Sequence, residues 1–198
     1  MSGQRKCDVV LAGVGGQGVL SIGALIAAAA HRSGLWVRQS EVHGMSQRGG
    51  AVQALLRMAD RPVRSGEIGR ATADLVLATE PVEGLRQLPF LAPSGTLVTA
   101  AEPLENVPDY PDRDTLLARV RALPSALVVE AERLAREAGS ARAANVVLVG
   151  AAADLLPIEP ERLEEEVRRA FAAKGDPVVE ANLRAFRAGR EAARCVAS

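Results

Sequence analysis

The chain has 198 residues, of which 48% are apolar and 3% aromatic, and its 24 Lys+Arg balance 24 Asp+Glu. That length suits one large α/β domain with a full core and is too short for two. Balanced charge and scarce aromatics exclude the basic footprint of a nucleic-acid or anionic-membrane binder and the stacking platform of a single-strand binder.

Cys7 to Gly18, CDVVLAGVGGQG, is a short apolar strand that runs straight into a glycine loop. Gly13, Gly15 and Gly18 fit G-x-G-x-x-G, and Gly16 adds a fourth residue without a Cβ, so the backbone can turn tightly and approach a ligand. Gln17 to Arg32 reads as an alanine-rich helix that can lie close to a sheet and points its free N–H groups and positive dipole end at the loop. The order strand, glycine loop, helix fits a phosphate cradle; it also fits a tight turn with no nucleotide. The ribose-binding acid of a dinucleotide site has one candidate, Glu41, after a second strand expected at Leu35 to Ser40.

Ser40 to Gly50, SEVHGMSQRGG, packs His43, Ser46, Gln47 and Arg48 around Gly44 and before the Gly49-Gly50 pair. The plain reading is a turn whose hydroxyls and arginine satisfy backbone carbonyls. The sharper one makes Arg48 an anion ligand with backbone access beside it. Strands are expected at Ala51 to Met58, Asp74 to Thr79, Thr96 to Ala101 after a Pro93-Ser94-Gly95 turn, and Ala126 to Glu130. Glu80 follows a strand end, where open α/β sheets place their sites, but it reads first as the N-terminal acid of a short helix over Val82 to Leu88. Further helices are expected at Asp114 to Leu123, at Ala141 to Leu156 as one buried segment with Asn145 as a cap or core hydrogen bond, at Glu159 to Ala173, and at Val179 to Cys195. Arg184, Arg187, Arg190 and Arg194 on the last helix read as a solvated face.

The alternation predicts a single Rossmann-like α/β domain over residues 1–198, with a mostly parallel sheet and helices on both faces. Cys7 and Cys195 are far apart, and neither C-x-x-C spacing nor clustered histidines occur, so no metal or iron–sulfur site is expected in this chain alone. A strand and glycine loop stand where a leader's apolar region would be, which points to a cytoplasmic protein with free thiols and no membrane span.

The pairing of GVGGQG at Gly13 to Gly18 with SEVHGMSQRGG at Ser40 to Gly50 resembles the gamma-type domain of 2-oxoacid:ferredoxin oxidoreductases. The likeness continues through ADLVLATEP at Ala73 to Pro81, LAPSGTLV at Leu91 to Val98 and AANVVLVGAAADLL at Ala143 to Leu156, so it covers most of the chain. Within that family it is nearest to the indolepyruvate type, in which this domain is a separate small chain. The resemblance implies CoA-dependent oxidative decarboxylation of an arylpyruvate to an aryl-acetyl-CoA, with ferredoxin reduced. It implies an alpha partner subunit that carries thiamine diphosphate, Mg and the 4Fe-4S clusters, with coenzyme A as co-substrate and no activity for this chain alone. On that reading Gly13, Gly15, Gly16, Gln17, Gly18, Ser46, Arg48 and Gly49 are the candidate binding residues, and His43 and Arg48 the candidates nearest the chemistry. The alternatives are a gamma subunit for pyruvate or 2-oxoglutarate, or a free-standing NAD(P)-binding dehydrogenase.

Overall fold

Strand β1 (Lys6–Val14) lies in the middle of the molecule, and eight of its nine residues are buried. An unbroken apolar run of this kind fits a strand covered on both faces. The computed structural model describes residues 5–43, 49–105 and 109–197. Around β1 stand β2 (Trp36–His43), β3 (Ala51–Ala59), β4 (Ala73–Ala78), β5 (Leu91–Ala100) and β6 (Ala126–Val129) in the order β2-β3-β1-β4-β5-β6. The pairs β1–β4, β4–β5 and β5–β6 are parallel. Strand β3 runs antiparallel to both β1 and β2, which leaves β2 parallel to β1 but separated from it.

Alternation along β1 decides which helices cover which face. Val9 and Leu11 join the larger core, with helices α1 (Val19–Arg32), α4 (Ala131–Glu137), α5 (Ala144–Ala152), α6 (Pro160–Phe171) and α7 (Asp176–Ala197). Val10 joins the smaller core on the other face, with Leu85 of α2 (Pro81–Arg86) and Val120 of α3 (Arg113–Arg121). The expected α/β class, mostly parallel sheet and helices on both faces are therefore present.

Several local expectations are corrected. The Pro93-Ser94-Gly95 turn lies inside β5, where the register against β4 shifts between Ala73 and Leu75. A Cβ on Gly95 would stand 2.7 Å from the Ala73 carbonyl, so this irregular pairing needs glycine. The single helix expected at Ala141 to Leu156 is α5 flanked by 3-10 turns at Ala141–Ala143 and Ala153–Leu155. Helix α4 has no counterpart among the expected elements; its seven residues carry little periodicity beyond buried Ala131 and Ala135. The arginines of α7 do form the expected exposed face, where Arg187 also pairs with Glu164, and Arg190 and Arg194 with Asp154. Among the described residues no helix is long and apolar enough to cross a membrane.

Helices α5 and α7 touch backbone to backbone. A Cβ on Gly150 would overlap the Phe186 carbonyl, and one on Gly189 would overlap that of Val147. Gly150→Ala should therefore cost about 1–3 kcal/mol or more through overpacking. Gly69→Ala, whose Cβ would meet only ordinary contacts at 3.6 Å, should stay within about 0.5 kcal/mol. Urea midpoints for both variants check this, and equal midpoints would show that the two helices have room to separate.

Candidate functional site

The parallel strands end in a crevice, and the glycine loop forms one wall of it. The chain turns at the end of β1 through a Gln17 N–H bond to the Val14 carbonyl at 3.0 Å. The Gln17 side chain then fixes the turn, because its Oε1 accepts from Val14 N at 2.9 Å and from the Thr79 hydroxyl at 2.8 Å. From the other side, Asn145 at the start of α5 donates to the Gln17 carbonyl at 2.8 Å and leans on that of Gly18 at 3.4 Å. The expected core hydrogen bond of Asn145 is thus a tertiary clamp on the loop.

Each glycine has its own reason. A Cβ on Gly13 would run into the Thr79 hydroxyl, and one on Gly18 into the Asn145 amide. Gly16 and Gly18 have φ of +102° and +76°, which favour glycine. A Cβ on Gly16 would meet no atom of the described residues within 4 Å, so among them this residue lies beneath open space. Gly18 caps α1 without any side-chain bond, and the first turn holds no acid. The helix's leading N–H groups have no carbonyl partners within it, and its dipole adds positive potential there.

The second loop singled out in the sequence arrives at the same place. Gly15 N donates to the Gly50 carbonyl at 2.8 Å, and Gly49 N to the Gly15 carbonyl at 3.2 Å. The sheet explains the meeting, since Val14 pairs with Ala51 and His43 with Val52 at one end of three adjacent strands. Gly13, Gly15, Gly16, Gln17, Gly18 and Gly49 are therefore brought together. His43 ends β2 in its backbone, while Ser46 and Arg48 lie outside the described residues.

Two acids line the strand ends. Glu80 is buried and caps α2, accepting from Glu83 N at 2.8 Å and from the Tyr110 hydroxyl. Burial holds its carboxyl above the ordinary range. Its reading as a helix N-terminal acid is the one the geometry bears out. Glu102, just past β5, escapes sequence reasoning although it occupies the same position relative to its strand as Glu80 does to β4. Its Oε1 accepts from Glu132 N at 3.0 Å, and burial raises its pKa as well. Glu41 does not serve as a ribose acid: β3 stands between β2 and β1, so Glu41 is about 10 Å across the sheet from β1, exposed and bonded to Gln39.

The chain's own residues do not fit an iron–sulfur cluster, which takes four thiolates. Cys7 is buried beside Asp74 and Asp8, chiefly burial pushing its pKa up to about 12, and the other cysteine, Cys195, is exposed near the end of α7. Among the described residues no group of three or more His, Cys, Asp or Glu could hold a metal ion.

A family model described as pyruvate ferredoxin/flavodoxin oxidoreductase matches residues 8–192. The chain belongs to that family. Indolepyruvate oxidoreductase subunit IorB of Thermococcus kodakarensis is 36% identical over 96% of this chain and 97% of its own length. The protein of the same name from Archaeoglobus fulgidus is 35% identical, covering 93% and 94%. Among solved structures, a 2-oxoglutarate:ferredoxin oxidoreductase from Magnetococcus marinus, with 2-oxoglutarate, coenzyme A and succinyl-CoA bound, matches at TM-score 0.75 and 25% identity. That match covers 96% of this chain, which spans 31% of the Magnetococcus chain. The gamma subunit of a keto/oxoacid ferredoxin oxidoreductase from Geobacter sulfurreducens shares the fold at TM-score 0.71 and 23% identity, over 96% of this chain and 97% of its own. As a member of this family the chain is an oxidoreductase subunit, and the expected family resemblance holds over nearly its whole length.

The raised Glu80 pKa makes a prediction with a definite sign. The fold disfavours the ionised carboxylate, so this contribution to stability is full below the unfolded value of 4.5 and is lost as pH rises through the folded pKa. Glu80→Gln keeps one acceptor oxygen, enough for the Glu83 N–H cap, and cannot ionise. Melting temperatures from about pH 5 to about pH 8 should fall less for the variant than for the native chain. Parallel curves would show that Glu80 ionises in the fold without penalty.

Proposed function

We propose that this chain is the small subunit of an indolepyruvate (arylpyruvate):ferredoxin oxidoreductase. The observation that carries the reading is two-way coverage: relatives named indolepyruvate oxidoreductase subunit IorB align end to end with this chain at about 35% identity. Relatives named for 2-oxoglutarate are less similar, at 28% and 27%. The overall reaction converts a 2-oxoacid and coenzyme A into an acyl-CoA, carbon dioxide and a proton, and a pair of electrons passes to ferredoxin. Thiamine diphosphate with its Mg, and the 4Fe-4S clusters, belong to an alpha partner in this reading and supply decarboxylation and one-electron transfer there. Neither the cysteines nor the carboxylates of this chain offer an equivalent, and the complex works in the cytoplasm.

The share of this chain is to bind and orient coenzyme A. Open space above Gly16, the leading N–H groups of α1 and the absence of first-turn acids suit a phosphate at the loop. Arg48, next in sequence to Gly49, is the proposed charged ligand to that phosphate, and Ser46 and His43 are its neighbours in the same segment. Gln17 and Asn145 are positioning residues that hold the loop in shape.

On complexes assembled with the alpha partner, Arg48→Ala should raise the KM for coenzyme A by an amount equivalent to about 1.5–3 kcal/mol, the worth of a hydrogen bond to a charged group. The KM for the 2-oxoacid should not move, and assembly should survive. Unchanged coenzyme A kinetics would remove Arg48 from the site. The chain purified alone should show neither turnover with a 2-oxoacid nor stoichiometric iron; finding either would overturn the division of labour between the subunits.

A further inference from the structure

The sheet has two edges, and the fold treats them differently. At one, β6 is only four residues long, which leaves little edge to pair. At the other, β2 runs eight residues in unbroken register with β3, its only strand partner among the described residues, and no proline or bulge blunts it. The even-numbered residues of β2 share one face, which carries Trp36 and Val42, 56% and 61% exposed. Trp36 is the chain's one tryptophan, and tryptophans are enriched among the side chains that anchor interfaces. The other face meets α1; there Val37 packs on the larger core and Glu41 is exposed. A groove of about 760 Å3 wraps the first half of the strand, with Ala27, Ala28, Trp36 and Val37 as apolar lining and His31 and Arg38 as basic lining. One half of β2 thus offers an apolar groove with basic walls, and the other carries an acid and an exposed valine.

These halves complement each other when the strand is reversed against itself. In an antiparallel pair about a two-fold axis, each residue stands opposite one on the same side of the sheet, and the axis passes through one residue of each strand. Centred on Arg38, the pairing would set like charges directly opposite, which destabilises it. Centred on Ser40, it would leave Trp36 beyond the end of the facing strand, and more distant centres shorten the pairing. Centred on Gln39, it sets Trp36 opposite Val42 of the second copy and Glu41 opposite Val37, beside His31 in the groove, and it does both twice. Arg38 and Ser40 are meanwhile turned to their own loop, donating to the Val63 and Gly66 carbonyls at 3.2 Å each. We infer that β2 is the seam of a symmetric dimer, in which a second copy of this chain extends the sheet across a two-fold axis at Gln39. Because β2 is parallel to β1, the reversal turns the two glycine-loop crevices to opposite ends of the joined sheet, and each stays open to a partner subunit of its own.

The test begins with the full chain purified alone. Light scattering over a range of concentrations should reach a mass of twice 20.7 kDa, and dilution should red-shift the emission of Trp36, the only tryptophan, as the seam opens. Trp36→Arg and Val42→Arg, both at exposed positions, should each weaken the dimer about tenfold or more, with circular dichroism confirming that they are folded. Glu41→Lys should weaken it too, and adding His31→Glu should restore it, a rescue that a merely structural role would not give. Gln39→Cys, with Cys195→Ser to remove the exposed native thiol, should form a disulfide-linked dimer under a mild oxidant, both alone and in the assembled complex, because the two sulfurs meet on the axis. Cys195→Ser by itself should not crosslink. A chain that stays monomeric at every concentration, or a dimer that Trp36→Arg and Val42→Arg leave intact, overturns the seam. So does failure of Gln39→Cys to crosslink a chain that dimerises. If the isolated chain is monomeric and Trp36→Arg instead loosens the alpha partner, the edge belongs to that subunit and the inference falls.

Discussion

A strand buried on both faces has to leave the sheet somewhere, and the manner of its leaving governs this molecule. The chain exits β1 through Val14 to Gly18, and this short turn is tied to three other parts of the fold. Gln17 ties it to Thr79 at the end of β4, Asn145 ties it to α5, and Gly15 ties it to the Gly49-Gly50 pair before β3. Each tie needs close approach, and two of them fail sterically with any side chain at Gly13 or Gly18. A loop held by amides from separate elements behaves as part of the rigid core, which is the condition for presenting backbone N–H groups to an anion without first ordering them.

The second governing constraint is the antiparallel strand β3. In a dinucleotide fold the strand after the first helix lies beside β1, so its terminal acid reaches the ribose next to the glycine loop. Here that place belongs to β3, and β2 is displaced to the sheet edge. What stands beside the glycine loop is consequently the Gly49-Gly50 end of a second loop and no carboxylate from β2. The pattern G-x-G-x-x-G survives while its usual partner residue is moved out of reach, and this argues against the free-standing NAD(P) dehydrogenase on geometric grounds.

Much of this is legible in the amino-acid sequence alone. The apolar run into the glycine loop, the alternation of strands and helices, and the likeness of the paired loops point to the right fold class and family. The polar segment from Ser40 is recognisable because so many hydrogen-bonding side chains crowd around glycines in one short stretch. The order of the strands is not legible, since periodicity tells where a strand is and not beside which neighbour it lies. The bulge in β5 is hidden for a related reason: Pro93-Ser94-Gly95 has turn chemistry, and only the pairing with β4 reveals that the strand continues through it. Glu102 is inconspicuous because an acid between Ala101 and Pro103 looks like loop; its significance comes from burial that tertiary structure alone creates.

The crevice places opposite electrical demands close together. At the loop, an uncapped helix N-terminus offers donors and positive potential. A few residues away in space, Glu80 and Glu102 sit at the ends of neighbouring strands, both held by burial above the ordinary carboxylate range. Ionised side chains there would repel a phosphate and cancel part of the potential that α1 supplies. The fold limits this in two ways. Glu80 is turned into the cap of α2 and bonded by Tyr110, so its charge is engaged by donors on its own side of the sheet. Glu102 is half-buried in the cavity wall, where one oxygen accepts from Glu132 N and the other is out of reach of solvent. The site thus keeps its two carboxylates engaged or buried beside the loop, so that the positive potential at the start of α1 is left to act on an anion.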